Sequence, residues 1–220
     1  MPESLEVDGI EIPRKSIRLK SKLDAGCVGK AKMDLGGSWT RVCVTVWDVE
    51  QAPAEAFLQE VSIRRGLQHH RLVQLLGVVT QSQPMLIVTE FMSQGNLKSY
   101  LRSDLGRQLE LVVLIDFARQ VVDGMLYMEE KCYVHRDLRS ANVFLSNALE
   151  CKIGDFSLAR KLDGHRYIIR RDEKVAVKWT APEVFKEKSH TSKSDVWSFG
   201  IFLMELVTCG QSPYQGEKEQ

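Results

Sequence analysis

Tyr133-Val134-His135-Arg136-Asp137-Leu138-Arg139-Ser140-Ala141-Asn142 is followed by Asp155-Phe156-Ser157 and then by Lys178-Trp179-Thr180-Ala181-Pro182-Glu183. The order and spacing of these three stretches decide the fold. Their residue types also state a chemistry. A carboxylate at Asp137 can accept a hydroxyl proton, while Asn142 and Asp155 are hard oxygen ligands suited to magnesium on a phosphate chain. Any one of them alone would read as a loop or capping residue; the three together in this order form one constellation.

Around them the chain changes character. Before Gly95 it reads as strands broken by glycines, and after Gly95 it is dominated by helical periodicity. Ile17 to Leu23, Val28 to Met33 and Arg41 to Trp47 carry β-branched or alternating patterns, with Gly36-Gly37 as a turn. A helix is expected next, with Pro53 in its first turn, Ala54, Phe57, Leu58 and Val61 at helical spacing, and Gly66 closing it. In the second part Leu111, Leu114, Ile115, Ala118, Val121, Val122 and Met125 form an apolar stripe. Val196 to Val207 is apolar on nearly all sides, ended by Gly210 and Pro213, and too apolar for this chain alone to bury.

The 220 residues are 44% apolar and 27% charged, an ordinary soluble composition. A formal charge of +1 gives no bulk attraction to nucleic acid or anionic lipid. No apolar run reaches the roughly 18 residues of a membrane span, and neither a signal peptide nor a myristoylation glycine opens the chain. No membrane anchor is expected within it. Five scattered cysteines fit free thiols in a reducing compartment, so the location expected is cytoplasmic.

His-Arg-Asp-Leu-Arg-x-Ala-Asn and Lys-Trp-Thr-Ala-Pro-Glu resemble the wording of Src-like cytoplasmic protein tyrosine kinases, as do Ile12-Pro13-Arg14, Ala56 to Glu60, Leu72 to Leu75, Ile87 to Glu90 and Ser194 to Gly200. The resemblance spans about Ile12 to Gly216. It implies an α+β, bilobal protein kinase fold. Its parts would be a linker over 1–11, an antiparallel-sheet N-lobe with one helix and the hinge over 12–92, and a helical C-lobe over 93–220. It also implies ATP and Mg2+ as cofactors, and protein substrates or signalling proteins with tyrosine as acceptor.

Carried across residue by residue, the likeness makes Asp137 the catalytic base within the loop that includes Arg139 and Asn142, with the metal held by Asn142 and Asp155. Nucleotide contacts fall on Leu23, Gly26, Gly29, Ala31, Cys43, Thr45 and Phe144. Thr89 is the gatekeeper and Glu90 to Met92 the hinge for adenine. Glu60 is the helix carboxylate of the family's Lys–Glu pair, and Asp195 the helix-start aspartate that steadies the catalytic loop. Tyr167 falls at the activation-loop phosphosite, where the family grips a phosphate with arginines equivalent to Arg136 and Arg160.

Several positions depart from the family pattern. Asp24 stands where the first glycine of the phosphate loop belongs, although Gly26 and Gly29 remain. Val42-Cys43-Val44-Thr45 puts a hydroxyl where a lysine should hold the α and β phosphates. Losing one preorganised electrostatic contact costs on the order of 100- to 1,000-fold in rate, so phosphotransfer is expected to be impaired. Lys30 and Lys32 are candidate substitute cations, but strand alternation would turn Ala31 toward the nucleotide and both lysines away. Ser157 replaces a permissive glycine, and Phe144 a smaller residue under adenine. Arg64 replaces an apolar residue four positions after Glu60, within reach of it on one helix face. The family continues beyond Gly216 with helices that cover the apolar one, so a C-lobe lacking its last helices is the expectation here.

Overall fold

The structure, a computed structural model, describes residues 7, 9–20, 28–47, 53–171 and 173–214. It divides into two compact units, one formed by Met1–Gln68 and Val73–Phe91, the other by His69–Leu72 and Met92–Gln220.

The first unit is built on a five-stranded antiparallel sheet of β1 (Ile17–Leu19), β2 (Val28–Asp34), β3 (Trp39–Val46), β4 (Leu75–Val79) and β5 (Leu86–Glu90), in the order β1-β2-β3-β5-β4. The β2–β3 hairpin turns at Gly36 and Gly37, both in the left-handed region at φ 66° and 96°. There the Gly37 N–H donates to Asp34 Oδ1 at 2.7 Å, and glycine adopts this conformation without a Cβ penalty. Period-two alternation buries Val42, Val44 and Val46 of β3 in a cluster with Ile17, Ala31, Met33, Leu86 and Val88. The other face packs Val78 and Ile87 against Phe57 and Val61 of helix α1 (Ala54–Gly66), with the Trp47 ring edge-on to Phe57. Pro53 is the cap residue before α1 rather than part of its first turn, and Gly66 is its last helical residue.

The second unit contains α2 (Leu97–Arg102), α3 (Asp104–Arg107), α4 (Leu111–Glu130), α5 (Pro182–Glu187) and α6 (Ser192–Val207). Short strands pair between them: β8 (Val143–Leu145) with β6 (Gly95–Asn96) on one side and β9 (Cys151–Ile153) on the other; β7 (Tyr133–Val134) with β10 (Arg160–Lys161); and β11 (Tyr167–Ile168) with β12 (Ser189–His190). Helix α4 buries Phe117, Gln120, Val121, Gly124 and Met128. Of the expected stripe only Val121 is among them, while its Leu111, Ile115 and Val122 are exposed. Gln120 explains the register: its Oε1 accepts from the Cys151 N–H and from Arg71, both at 2.7 Å, so a polar residue is satisfied inside.

Helix α6 opens with a capping box between Thr191 and Ser194. It closes with Cys209 N–H on the Leu206 carbonyl and Gly210 N–H on the Glu205 carbonyl, a Schellman arrangement with Cys209 left-handed at φ 53°. Its buried side carries Ser194, Asp195, Ser198 and Glu205 as well as Phe202 and Leu206. Val196, Trp197, Met204 and Val207 are exposed.

Candidate functional site

The loop after β7 is fixed from beneath by α6. Asp195 accepts the His135 N–H at 2.7 Å and the Arg136 N–H at 3.0 Å, one on each carboxylate oxygen. These bonds hold Arg136 at φ 68°, a conformation that costs a non-glycine residue about 1–3 kcal/mol and persists only where its surroundings enforce it. Burial raises the Asp195 carboxyl, against the pull of His135 and the two backbone donors. The Asp137 N–H donates to His135 Nδ1 at 3.2 Å, so Nε2 carries the ring proton and donates to the Gly154 carbonyl at 3.0 Å.

Asp137, 3% exposed, accepts on Oδ2 from Arg139 and from Asn142 Nδ2, both at 2.7 Å. Its Oδ1 is buried with no hydrogen bond among the described residues, an acceptor able to take a hydroxyl proton. Burial raises this carboxyl above its ordinary value; Arg139, His135 and the Asn142 hydrogen bond pull against it, and the charge of Asp155 adds to the rise. An accepting base gains from that shift, because proton transfer is most effective when its pKa approaches the working pH.

Asn142 spends its Nδ2 on Asp137, including the Asp137 carbonyl at 2.8 Å, so its Oδ1 is the atom able to serve a metal. Asp155 is left-handed at φ 55° and accepts the Ser157 hydroxyl on Oδ1 at 2.7 Å. Ser157 therefore adds a donor to the carboxylate beside it. These are hard oxygen donors of the kind Mg2+ requires. A cavity of ≈ 490 Å³ opens on Asp137, Arg139, Asp155 and Ser157, with Lys174 to Trp179 on another wall. The Arg139 guanidinium lies 4.8 Å from the Trp179 ring centroid.

Tyr167, half-buried in β11, stands across from His190. The guanidinium carbons of Arg136 and Arg160 lie 4.9 and 5.9 Å from its ring centroid. Its hydroxyl donates to Glu173 Oε1 at 2.5 Å, while Glu173 Oε2 receives Arg136 at 2.8 Å.

In the first unit, Thr45 and Cys43 lie on the face of β3 opposite the buried valines. The register sets Cys43 across from both Lys30 and Thr89, and Gly29 across from Val44. Directly opposed residues share a face, so Lys30, Cys43, Thr45 and Thr89 stand together. The alternation expected from sequence had Ala31 on that face and Lys30 turned away; the register instead puts Ala31 opposite Val42, 1% exposed in the sheet's core cluster. Lys30 is exposed, its ammonium 5.5 Å from the Phe91 ring centroid. Burial pushes the Cys43 thiol up against a Thr89 hydrogen bond and the charge of Arg64.

On α1, Arg64 grips Glu60 through Nε and Nη2 at 2.9 and 2.7 Å, with the two side chains 7% and 9% exposed. Glu90 accepts the Gln74 N–H on Oε1 at 2.7 Å. In the second unit the Met92 carbonyl accepts from Gly95, and Phe144 is half-buried in β8 across from Asn96. Leu23 and Gly26 lie outside the described residues.

Two functional groups escaped the sequence reading. Glu205 accepts from Ser140 N–H, Ser140 Oγ and Trp179 Nε1 at 2.8, 2.7 and 3.1 Å; a single carboxylate within the apolar run Val196 to Val207 was the available signal. Glu173 gave no signal, because a glutamate in a charged loop is ordinary. The family model for protein tyrosine and serine/threonine kinases matches residues 17–220.

Proposed function

Because this chain belongs to the protein tyrosine and serine/threonine kinase family, we propose that it is a degenerate, Src-like tyrosine kinase domain that acts chiefly by binding and regulating other signalling proteins. Members of the family use ATP with Mg2+ to phosphorylate proteins. This chain retains the residues for proton transfer and metal: Asp137 oriented by Arg139 and Asn142, and the oxygens of Asn142 and Asp155. The observation that carries the reading is on the phosphate side. Thr45 stands in β3 where the family's lysine belongs, and Glu60, the carboxylate that would pair with that lysine, is engaged by Arg64 from its own helix.

A neutral hydroxyl cannot offset the charge that develops on a transferring phosphoryl group. The expected loss is on the order of 100- to 1,000-fold. Nucleotide binding depends on a wider set of contacts and can outlast turnover. Tyrosine is the acceptor favoured by Arg139 and by the Lys178 to Glu183 wording, with cytoplasmic signalling proteins as partners.

The test is a tyrosine phosphorylation assay of the purified chain beside Thr45→Lys and Asp137→Asn, with MgATP binding followed by thermal shift. Activity that appears only in Thr45→Lys supports the proposal. Parent activity that Asp137→Asn abolishes sinks it.

A second reading, an active tyrosine kinase with a substitute cation, has specific support in the same unit. Arg64 sits on Glu60, and Lys30 shares the face of Cys43 and Thr45. In that case Arg64→Met or Lys30→Met abolishes the parent's activity while Thr45→Lys adds little.

A further inference from the structure

Arg136 is an unusual place to find a charge. Its side chain is 1% exposed, its backbone is held left-handed, and burial pulls its guanidinium below the ordinary value. Such a cation needs an anion beside it. In this chain the anion is Glu173, whose side chain is 16% exposed and whose carboxylate bridges Arg136 and the Tyr167 hydroxyl. A backbone bond from the Glu173 N–H to the Arg170 carbonyl at 3.3 Å turns the segment back so that the carboxylate can reach both. Burial would raise the Glu173 carboxyl, but the Tyr167 hydrogen bond and Arg136 outweigh it and hold the group below its usual value.

We infer that Glu173 is the built-in anion of the Arg136 pocket: it orders the Tyr167 segment without any phosphate, and a phosphoryl group on Tyr167 would have to expel it. The pocket is walled by Arg136, Arg160 and Tyr167, with His190 on the strand paired to Tyr167. His190 stays neutral at physiological pH, its pKa lowered to about 4 by burial and by Arg136, and so adds no positive charge to those of Arg136 and Arg160. The charge of Arg136 is therefore already paired by Glu173, its Nη1 donates to the Leu158 carbonyl, and its buried Nε has no hydrogen bond among the described residues.

A phosphate ester carries roughly −1.5 to −2 charge at neutral pH. Attached to a hydroxyl 2.5 Å from a carboxylate, it would repel that carboxylate and compete for the same guanidinium. One anion is exchanged for another, and the hydrogen bond from Tyr167 to Glu173 is lost with the proton that made it. In most chains of this resemblance modification would add order to the segment; here it exchanges or loosens what is already there. The inference concerns the order of the segment and stands whether or not the chain transfers phosphate.

Hydrogen exchange reads that order directly, at the Ile169 N–H, which donates to the Lys188 carbonyl at 2.8 Å just past β11. The experiment compares the parent chain, Glu173→Gln, Tyr167→Phe and the parent carrying phosphotyrosine incorporated at position 167 during translation. Expected are a roughly tenfold or greater acceleration in Glu173→Gln and a several-fold one in Tyr167→Phe, with exchange in the phosphorylated chain as fast as in the parent or faster. Tyr167→Phe keeps the ring and its stacking, so it remains informative if the glutamine variant folds poorly. Unchanged exchange in both variants overturns the inference. So does slower exchange in the phosphorylated chain than in the parent.

Discussion

Both oxygens of Glu205 converge on Ser140, one on its N–H at 2.8 Å and the other on its hydroxyl at 2.7 Å, and the Trp179 indole N–H joins them at 3.1 Å. Glu205 is 1% exposed. Through it α6 holds the Asp137 loop and the segment before α5 on a single carboxylate, which is why a polar residue survives on a helix otherwise rich in apolar side chains. A hydrogen bond to a charged group contributes about 1.5–3 kcal/mol, and a buried donor left unmatched costs about 1–3 kcal/mol. Ser140→Ala is expected to lower the unfolding free energy by ~1–2 kcal/mol, since only the hydroxyl goes. Glu205→Leu should cost at least ~3 kcal/mol, with Glu205→Gln between them because one amide oxygen must serve three donors. Urea unfolding measures all three, and an unchanged midpoint for Ser140→Ala would contradict the clamp.

His190 predicts a loss of stability in mild acid. It is 2% exposed, with Ser194 Oγ 3.2 Å from Nδ1 and no hydrogen bond on Nε2 among the described residues. Burial and Arg136 lower its pKa from 6.5 to about 4, with Glu173 pulling the other way. Between those two values the unfolded chain binds the proton more readily than the folded chain does. Stability is therefore full above pH 6.5 and falls as the pH drops toward 4, by no more than ~3 kcal/mol. Unfolding free energies at pH 7 and pH 5 should differ more in the parent than in His190→Gln, and equal slopes would reject this account.

The thiols should react in order of exposure. Cys132 is exposed, Cys43 half-buried with its thiol pushed up by burial, and Cys151 is 1% exposed with a pKa raised to about 12 by burial. The thiolate is the nucleophile. Among these three, iodoacetamide at mildly alkaline pH should label Cys132 first, Cys43 more slowly, and Cys151 only once the chain unfolds, as peptide mass mapping would show. Labelling of Cys151 in the folded chain would contradict this packing.

How much of this was legible in the sequence depended on how local each signal was. The Asp137 loop is contiguous, and the geometry that unites Asp137, Arg139 and Asn142 spans six residues, so its wording was enough. The valines of β3 announced their face by alternation. Helix α4 was harder because apolar residues occupy more than one face: Leu111, Ile115 and Val122 fit a helical stripe as well as Phe117, Val121 and Met128 do. Only the partners of Gln120 decide which face turns inward. Likewise Lys30 and Ala31 could not be assigned to a face without the hairpin register, since a shift of one residue exchanges them. Glu205 and Glu173 acquire their roles from partners 65 and 37 residues away, Ser140 and Arg136 respectively, a separation that periodicity does not register.

The Arg64–Glu60 pair supplies the test that bears on both stability and function. Two opposite charges, each under a tenth exposed, are joined by two hydrogen bonds on one oxygen. Desolvating both ions costs nearly as much as their attraction returns, so such a pair contributes little net stability, yet removing one member strands a buried charge. Arg64→Leu and Glu60→Leu are each expected to destabilise by ~3–5 kcal/mol, whereas the double Leu variant should lie near the parent or above it. Two single losses that simply add in the double variant would rule out the coupling. The double variant then separates the two functional readings, because it removes Arg64 without destabilising the fold. If Arg64 does no more than neutralise Glu60, the thermal shift produced by MgATP should be the same in the double variant as in the parent. If Arg64 also serves the nucleotide, in the role proposed above for a lysine at the position of Thr45, the shift should shrink or vanish in a chain that is otherwise intact.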